Sequence, residues 1–338
     1  MMLAVPAFSQ ARLWGRPSLE QMWLKGAFAE TEKMFAFDRE HASTPSLDLW
    51  QGEFEIERGN YREANALLLR FDARAQGSGA DVAARWLARL RLAQGELQDA
   101  EKRALKGVKW DGTRVEKLRI NNPHQLLTLG EIYYARGRYV EANALFQKSV
   151  LAAGKVWASQ RVYAMIGQAR VKLALNDAAG AAARAQEAED AAKKEWDRGS
   201  IPVLEALDTL GMSHLANGEF ADAEYLVSLV LQARVGIYGQ THVKVAQSYL
   251  HLARISAARG QTGKAIALAD RALKTYHEIF TGLNVWSALA LVESADVYEA
   301  AGNHQDAQRQ YRESLTVLDR FLGADTPTVQ RVRALLKP

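Results

Sequence analysis

The chain contains no cysteine. Disulfides, thiolate metal sites, a cysteine nucleophile and a lipid-carrying cysteine are therefore excluded. Proline is scarce, at seven among 338 residues, and Pro17, Pro45, Pro123, Pro202 and Pro327 each precede a periodic apolar run. That is where a first helical turn tolerates proline. Strand-like alternation persists nowhere, which predicts an all-α fold. An excess of one charge is missing too: 43 Lys and Arg face 39 Asp and Glu, a net charge of +4. A nucleic-acid binder concentrates Lys and Arg on one face. The local run Lys102, Arg103, Lys106, Lys109, Arg114 and Lys117 is broken by Glu101, Asp111 and Glu116, so it reads as solvated surface, and no nucleic-acid partner is expected.

Motifs of chemistry are also missing. Gly77-Ser78-Gly79 lacks the third glycine, the preceding strand and the lysine of a phosphate loop, and reads as a flexible inter-repeat loop. His277-Glu278 is a lone pair on a helix, short of the three or four convergent ligands that a metal needs. No Gly-x-Ser-x-Gly elbow occurs. No catalytic residue, metal or cofactor is expected, and the chain reads as non-enzymatic.

What is present is a recurrence. A helical breaker returns at Gly26, Gly59, Gly95, Gly137, Asn176, Gly218, Gly260 and Gly302, the last three steps being 42 residues each. Periods of 20 to 50 residues mark solenoids. Five residues past each breaker stand Thr31, Ala64, Ala100, Ala142, Ala181, Ala223, Ala265 and Ala307; seven before it stand Leu19, Gly52, Ala88, Gly130, Ala169, Gly211, Ala253 and Ala295. Small residues on both sides of a bend let two antiparallel helices approach closely. Nine past the breaker stand Phe35, Leu68, Phe146, Val227 and Tyr311, placed to fill the space between repeats. A further 42-residue echo, Trp196, Tyr238, Phe280 and Leu322, marks where a long second helix hands over to the next repeat. Each repeat of such an array is expected to touch only its neighbours.

This arrangement resembles the tetratricopeptide repeat. The clearest copy is Gly130-Glu131-Ile132-Tyr133, then Gly137-Arg138-Tyr139-Val140-Glu141-Ala142 and Phe146. The 42-residue step is similar to the long-helix variant of kinesin light chains. Gly239 to Ala246 and Gly323 to Val329 are similar to that variant's linker, although His242 is not followed by the usual proline. The resemblance implies a right-handed solenoid of seven to eight antiparallel helix pairs. Residues 1–9 read as a signal-peptide remnant, 10–42 as a short degenerate first repeat, 43–325 as a continuous array and 326–338 as a C-terminal capping helix. Met1 to Ala11 looks like the second half of a secretory signal with small residues at Ala7 and Ser9. It points to the bacterial periplasm; a frayed apolar terminus on a cytoplasmic protein is the alternative.

The resemblance also implies that the first helix of each pair lines a concave groove. Six residues before the breakers stand Glu53, Arg89, Glu131, Arg170, Met212, Arg254 and Asp296. Two readings stay open: a ladder of salt bridges between adjacent first helices, or a polar groove that reads a partner segment. Arg85 and Arg89 stack one turn apart beside Trp86, with Trp50 at the equivalent place one repeat earlier, a composition enriched at binding hot spots; interhelical packing of both tryptophans is the alternative. His124, Glu131 and Tyr134 follow, then Tyr163 and Arg170. Glu293, Asp296 and Glu299 form an acidic stripe, so the groove reads as basic at one end and acidic at the other. The Lys–Asn–Asn–Lys–Arg set by which co-chaperone repeats hold a peptide carboxylate is not matched by Leu127, Glu131, Gly167, Glu205 and Thr209. The expected function is a protein-interaction scaffold that binds a protein or peptide segment or organises an assembly. A ligand-sensing repeat array is the alternative, and an accessory module of an enzyme complex a weaker one. Incomplete end repeats also offer end-to-end stacking as a route to homo-oligomers.

Overall fold

The computed structural model describes residues 19–41, 45–106, 108, 110, 114–280, 282 and 284–336. The signal-like segment Met1 to Ala11 lies outside them. Eight antiparallel helix pairs follow one another: α1 (Leu19–Leu24) with α2 (Phe28–His41), α3 (Pro45–Glu57) with α4 (Tyr61–Arg74), α5 (Ser78–Ala93) with α6 (Leu97–Ala104), and α7 (Pro123–Ala135) with α8 (Tyr139–Ala153). Then come α9 (Ala158–Ala174) with α10 (Ala178–Lys193), α11 (Ile201–Ala216) with α12 (Phe220–Tyr238), α13 (Val243–Ala258) with α14 (Thr262–Ile279), and α15 (Val285–Ala300) with α16 (His304–Phe321). A lone helix, α17 (Pro327–Leu335), closes the array. Its Val329 and Val332 pack fully buried against Tyr298, Tyr311 and Leu318. No strand occurs among the described residues.

All eight breakers turn the chain through left-handed backbone, with φ from 60° at Asn176 to 81° at Gly218. That conformation costs a residue with a Cβ about 1–2 kcal/mol, asparagine being among the few that visit it. The small residues do what their spacing requires. Thr31 and the seven alanines five past each breaker are fully buried. Before the breaker, a Cβ added to Gly130 would lie 2.5 Å from the Phe146 ring, one on Gly52 2.8 Å from Leu68, and one on Gly211 2.8 Å from Val227. At these three bends the glycine seven before the breaker is therefore the socket for the large residue nine past it. Ser78 and Gly79 correct the loop reading: Gly77 turns the chain at φ 56°, and the next two residues form the first turn of α5.

First helices pack on the first helices of adjacent repeats, as the contacts α3–α5, α5–α7, α7–α9, α9–α11, α11–α13 and α13–α15 record. The contacts do not stop at neighbours, and here the sequence expectation fails. The superhelix winds tightly enough for its early bends to touch its later linkers. The Tyr238 hydroxyl donates to Glu57 Oε1 at 2.6 Å. Trp286 Nε1 donates to the Leu92 carbonyl at 2.7 Å, and Asn284 Nδ2 to the Gln94 carbonyl at 3.1 Å. Rings of Phe28 and Tyr238 meet edge-on at 5.5 Å. At Gly137 an added Cβ would lie 2.6 Å from Pro327. Only glycine lets these bends approach the linkers so closely.

His242 joins both roles of a linker. It is the N-cap of α13: its Nδ1 accepts from the Lys244 backbone N–H at 3.2 Å, which leaves Nε2–H to donate to the Glu57 carbonyl at 3.1 Å. Tyr238 stacks on its ring at 4.1 Å. The seam is thus built from polar caps, not only from apolar surface.

Candidate functional site

The tight winding brings α1, α3, α5 and α9 together around a cavity at the inner face. Glu20, Trp23, Glu53, Glu57, Arg89 and Tyr163 line it, with Ser159 and Gln160. The Ser159 hydroxyl donates to Glu20 Oε1 at 3.0 Å. Burial pushes the Glu53 carboxyl well above its usual range; Glu20 and Glu57 add to the shift and Arg89 opposes it. Burial also raises Glu20 and Glu57, again against the pull of Arg89. Charges along the rest of this face are met differently. Arg170 Nη1 donates to Glu131 Oε2 at 3.0 Å and its guanidinium lies over the Tyr134 ring at 4.6 Å. Arg254 stands 3.6 Å from Glu293, and Arg331 donates to Asp296 at 2.8 Å. The expected ladder of ion pairs therefore exists at those rungs. At the Glu53–Arg89 rung no salt bridge forms among the described residues.

The expected groove residues fall into three groups. Arg85, Trp86, Arg89, His124 and Tyr163 gather beside the cavity. The Arg89 guanidinium lies 5.7 Å from the Trp86 ring centre, and His124 sits between Trp86 at 5.4 Å and Trp157 at 5.2 Å. Burial, with Arg89 and Arg85 adding to it, lowers His124 to about 3, so the imidazole is neutral; its Nδ1 has no hydrogen-bond partner among the described residues. Neither Arg85 nor Arg89 has a salt bridge among the described residues. Glu131, Tyr134 and Arg170 form the second group, internally paired. Arg254, Glu293, Asp296 and Glu299 form the third, at the far end. Trp50 belongs with none of them: it packs on Trp23 at 6.3 Å within an apolar cluster.

The basic-to-acidic gradient does not stand. Three carboxylates face Arg89 at the supposed basic end, and Arg254, Arg331 and His304 meet Glu293, Asp296 and Glu299 at the supposed acidic end. Sequence reasoning counted helix positions within each repeat. It had no access to charges arriving from other helices.

It also missed the buried network between α11, α12 and α13. The fully buried Arg234 donates from Nη2 to Glu205 Oε1 at 2.7 Å, and from Nη1 to Asp208 Oδ2 at 3.1 Å and Ser248 Oγ at 2.8 Å. Lys244 Nζ donates to Glu205 Oε2 at 2.8 Å. Burial alone would raise the Glu205 carboxyl, but Arg234 and Lys244 outweigh it and hold the group at about 2. With its charges matched, this network is a fixed wall of the inner face. Glu20, Glu57 and Gln160 were missed as well. A carboxylate four past Glu53, on the same helix face, was the available signal for Glu57.

Family models of the tetratricopeptide repeat match residues 202–278 and 123–148. Among solved structures, a Rap protein complexed with competence and sporulation factor is similar over 94% of this chain and 96% of its own, at 13% identity and a TM-score of 0.59. The Cut9 and Hcn1 hetero-tetramer of the APC/C is similar over 91% of this chain, which spans 52% of that one, at 15% identity and a TM-score of 0.52. Both likenesses are of fold. No curated protein matches the chain in sequence.

Proposed function

We propose, from the premise that this chain is a tetratricopeptide-repeat protein, that it is a non-catalytic interaction scaffold whose inner face receives a peptide segment beside α5. One observation carries this reading. Among the described residues Arg85 and Arg89 stand on the inner face without a salt bridge, whereas the charges of the neighbouring rungs are paired. An arginine held half-buried and unbridged is a strong donor for a carboxylate, binding it through two parallel hydrogen bonds. Trp86, Trp157 and the neutral His124 supply the aromatic wall beside it. Arg85 is the residue that grips the segment's carboxylate, because Arg89 already faces Glu20, Glu53 and Glu57. The Rap protein of similar fold was solved with a bound factor, which supports a ligand-receiving array.

Peptide-display selection against the full chain and against Arg85→Glu tests this. Enrichment of acidic segments on the native chain and its loss on the variant is the expected result. The same sequences enriched on both would contradict it.

A second reading, a ligand-sensing array, has its own support. The cavity is a narrow recess with α1 and α3 on one side and α9 on the other, not a broad trough. A ligand seated there pushes on the contacts by which the winding closes, so occupancy and curvature are coupled.

A further inference from the structure

The cavity among α1, α3, α5 and α9 has a volume of about 10 Å³. That is the space of one water or of one ammonium head. Its lining is unusual in its balance of acceptors and donors. Glu20, Glu53 and Glu57 contribute three carboxylates from two helices, and among the described residues Arg89 is the one cation that lines the space. Glu53 is 8% exposed and has neither a hydrogen bond nor a salt bridge among the described residues. Gln160, independently, is 3% exposed and lines the same cavity, and its Oε1 has no hydrogen-bond partner among the described residues. Buried polar atoms in native proteins nearly always have partners, so the unmet Gln160 oxygen calls for a donor, and the three carboxylates around it favour one that carries positive charge.

We propose that this cavity is a binding site for the ammonium head of a primary amine. The proposal rests on the reading of the inner face as ligand-receiving and names the chemistry of one end of the ligand. An ammonium is compact and offers three donors, which suits Glu53, Gln160 Oε1 and a third acceptor from Glu20 or Glu57. The rings of Trp23 and Tyr163 line the same space, and aromatic faces attract ammonium groups. A planar guanidinium is too wide for such a volume. A divalent metal does not fit either: among the described residues no group of three His, Asp or Glu converges closely enough to hold one.

The ammonium takes the place of a proton. Burial raises the Glu53 carboxyl well above its usual range, with Glu20 from α1, Glu57 from α3 and Arg89 from α5 facing it, and Tyr163 from α9 lines the same cavity. Glu57 in turn faces Tyr238, Lys244 and Glu205. A bound cation stabilises the ionised form, so binding expels a proton and tightens as pH rises.

Isothermal titration calorimetry on the full chain tests the site with four probes: n-butylamine, triglycine, N-acetyltriglycine and Nα-acetyl-lysine amide. At least one free-amine probe is expected to bind at one site per chain, and N-acetyltriglycine is expected not to bind. The tightest free-amine probe identifies the source, whether a peptide amino terminus, a lysine side chain or a small amine. Glu53→Gln should weaken that probe at least tenfold while leaving the thermal midpoint unchanged or higher, since it removes a buried carboxyl. Glu20→Gln gives a second reading of the same loss. Absence of binding by every free amine, or unchanged binding in Glu53→Gln, overturns the proposal. Amine binding that depends on Glu53 alongside peptide selection indifferent to Arg85→Glu sinks the carboxylate reading and supports this one.

Discussion

Glu53 and Arg89 stand one repeat apart on adjacent first helices, line the same cavity, and make no salt bridge. Two repeats on, Glu131 and Arg170 occupy the same repeat positions and are bridged at 3.0 Å. The difference lies in what else reaches each site. Arg170 is bridged to Glu131 and lies over the Tyr134 ring, with Glu205 adding to its stabilisation. Arg89 is shared among Glu20, Glu53 and Glu57 and leans on Trp86. One guanidinium cannot pair closely with three carboxylates, and the surplus negative charge is left in a buried setting. That surplus separates this rung from its neighbours and makes it the candidate site.

The socket geometry yields a stability prediction. Gly130→Ala would force its methyl to within 2.5 Å of the buried Phe146 ring, whose other side is so close to α9 that a Cβ on Gly167 would lie 2.6 Å from it. Overpacking of this kind costs about 1–3 kcal/mol. Urea unfolding of the variant should show a lower midpoint, and Gly130→Ala combined with Phe146→Leu should recover part of the loss. A Gly130→Ala protein as stable as the native chain would contradict the socket.

The closed winding predicts that seam residues contribute to stability although they lie far apart in sequence. Tyr238→Phe removes the donor to Glu57, and Trp286→Phe removes the donor to the Leu92 carbonyl. Each should cost about 1–3 kcal/mol, because each leaves a shielded acceptor without its partner. Hydrogen exchange should quicken in α3 and at the α5–α6 bend in the respective variants. Acceleration confined to α12 and α15, where the substitutions sit, would show that the seam carries no coupling.

Two neutral histidines set the acid response. Burial, reinforced by Arg89 and Arg85, lowers His124 to about 3, and burial with Lys244 does the same to His242. The unfolded chain takes up protons near the ordinary 6.5 that the folded chain refuses, so stability falls as pH drops from about 6.5 toward 3. Each histidine contributes up to about 1.4 kcal/mol per pH unit across that window. Glu53 acts in the opposite sense: its folded value is raised, so its contribution is present at low pH and lost as pH rises through that value. The drop in unfolding midpoint between pH 7 and pH 5 should therefore shrink in a His124→Gln and His242→Asn double variant and grow in Glu53→Gln. The asparagine is chosen because it keeps an acceptor at the N-cap. An unchanged drop in both would contradict these assignments.

The repeat was legible because its determinants are local. Left-handed breakers, alanines five residues on and the socket seven residues back all depend on spacing within one helix pair, and Ala142, Gly130 and Phe146 sit where spacing puts them. The winding was not legible. It accumulates from small rotations between successive repeats, and no single repeat encodes whether the first bend will meet the sixth linker. A trace of it does exist. Ser200, His242, Asn284 and Thr326 cap successive first helices at 42-residue steps, and three of these junctions carry the seam through His242, Asn284 and Pro327. The cavity inherits the same difficulty. Arg85, Trp86 and Arg89 were readable on one helix face, whereas Glu20 and Gln160 join them only once the array has closed.

Hydrogen exchange of the full chain with and without a peptide taken from the display selection tests the inner-face account most directly. Slowed exchange in α1, α3, α5 and α9 upon binding is the expected result, with the outer helices α4, α6 and α10 little changed. Protection restricted to those outer helices, with the four inner ones unaffected, would contradict it.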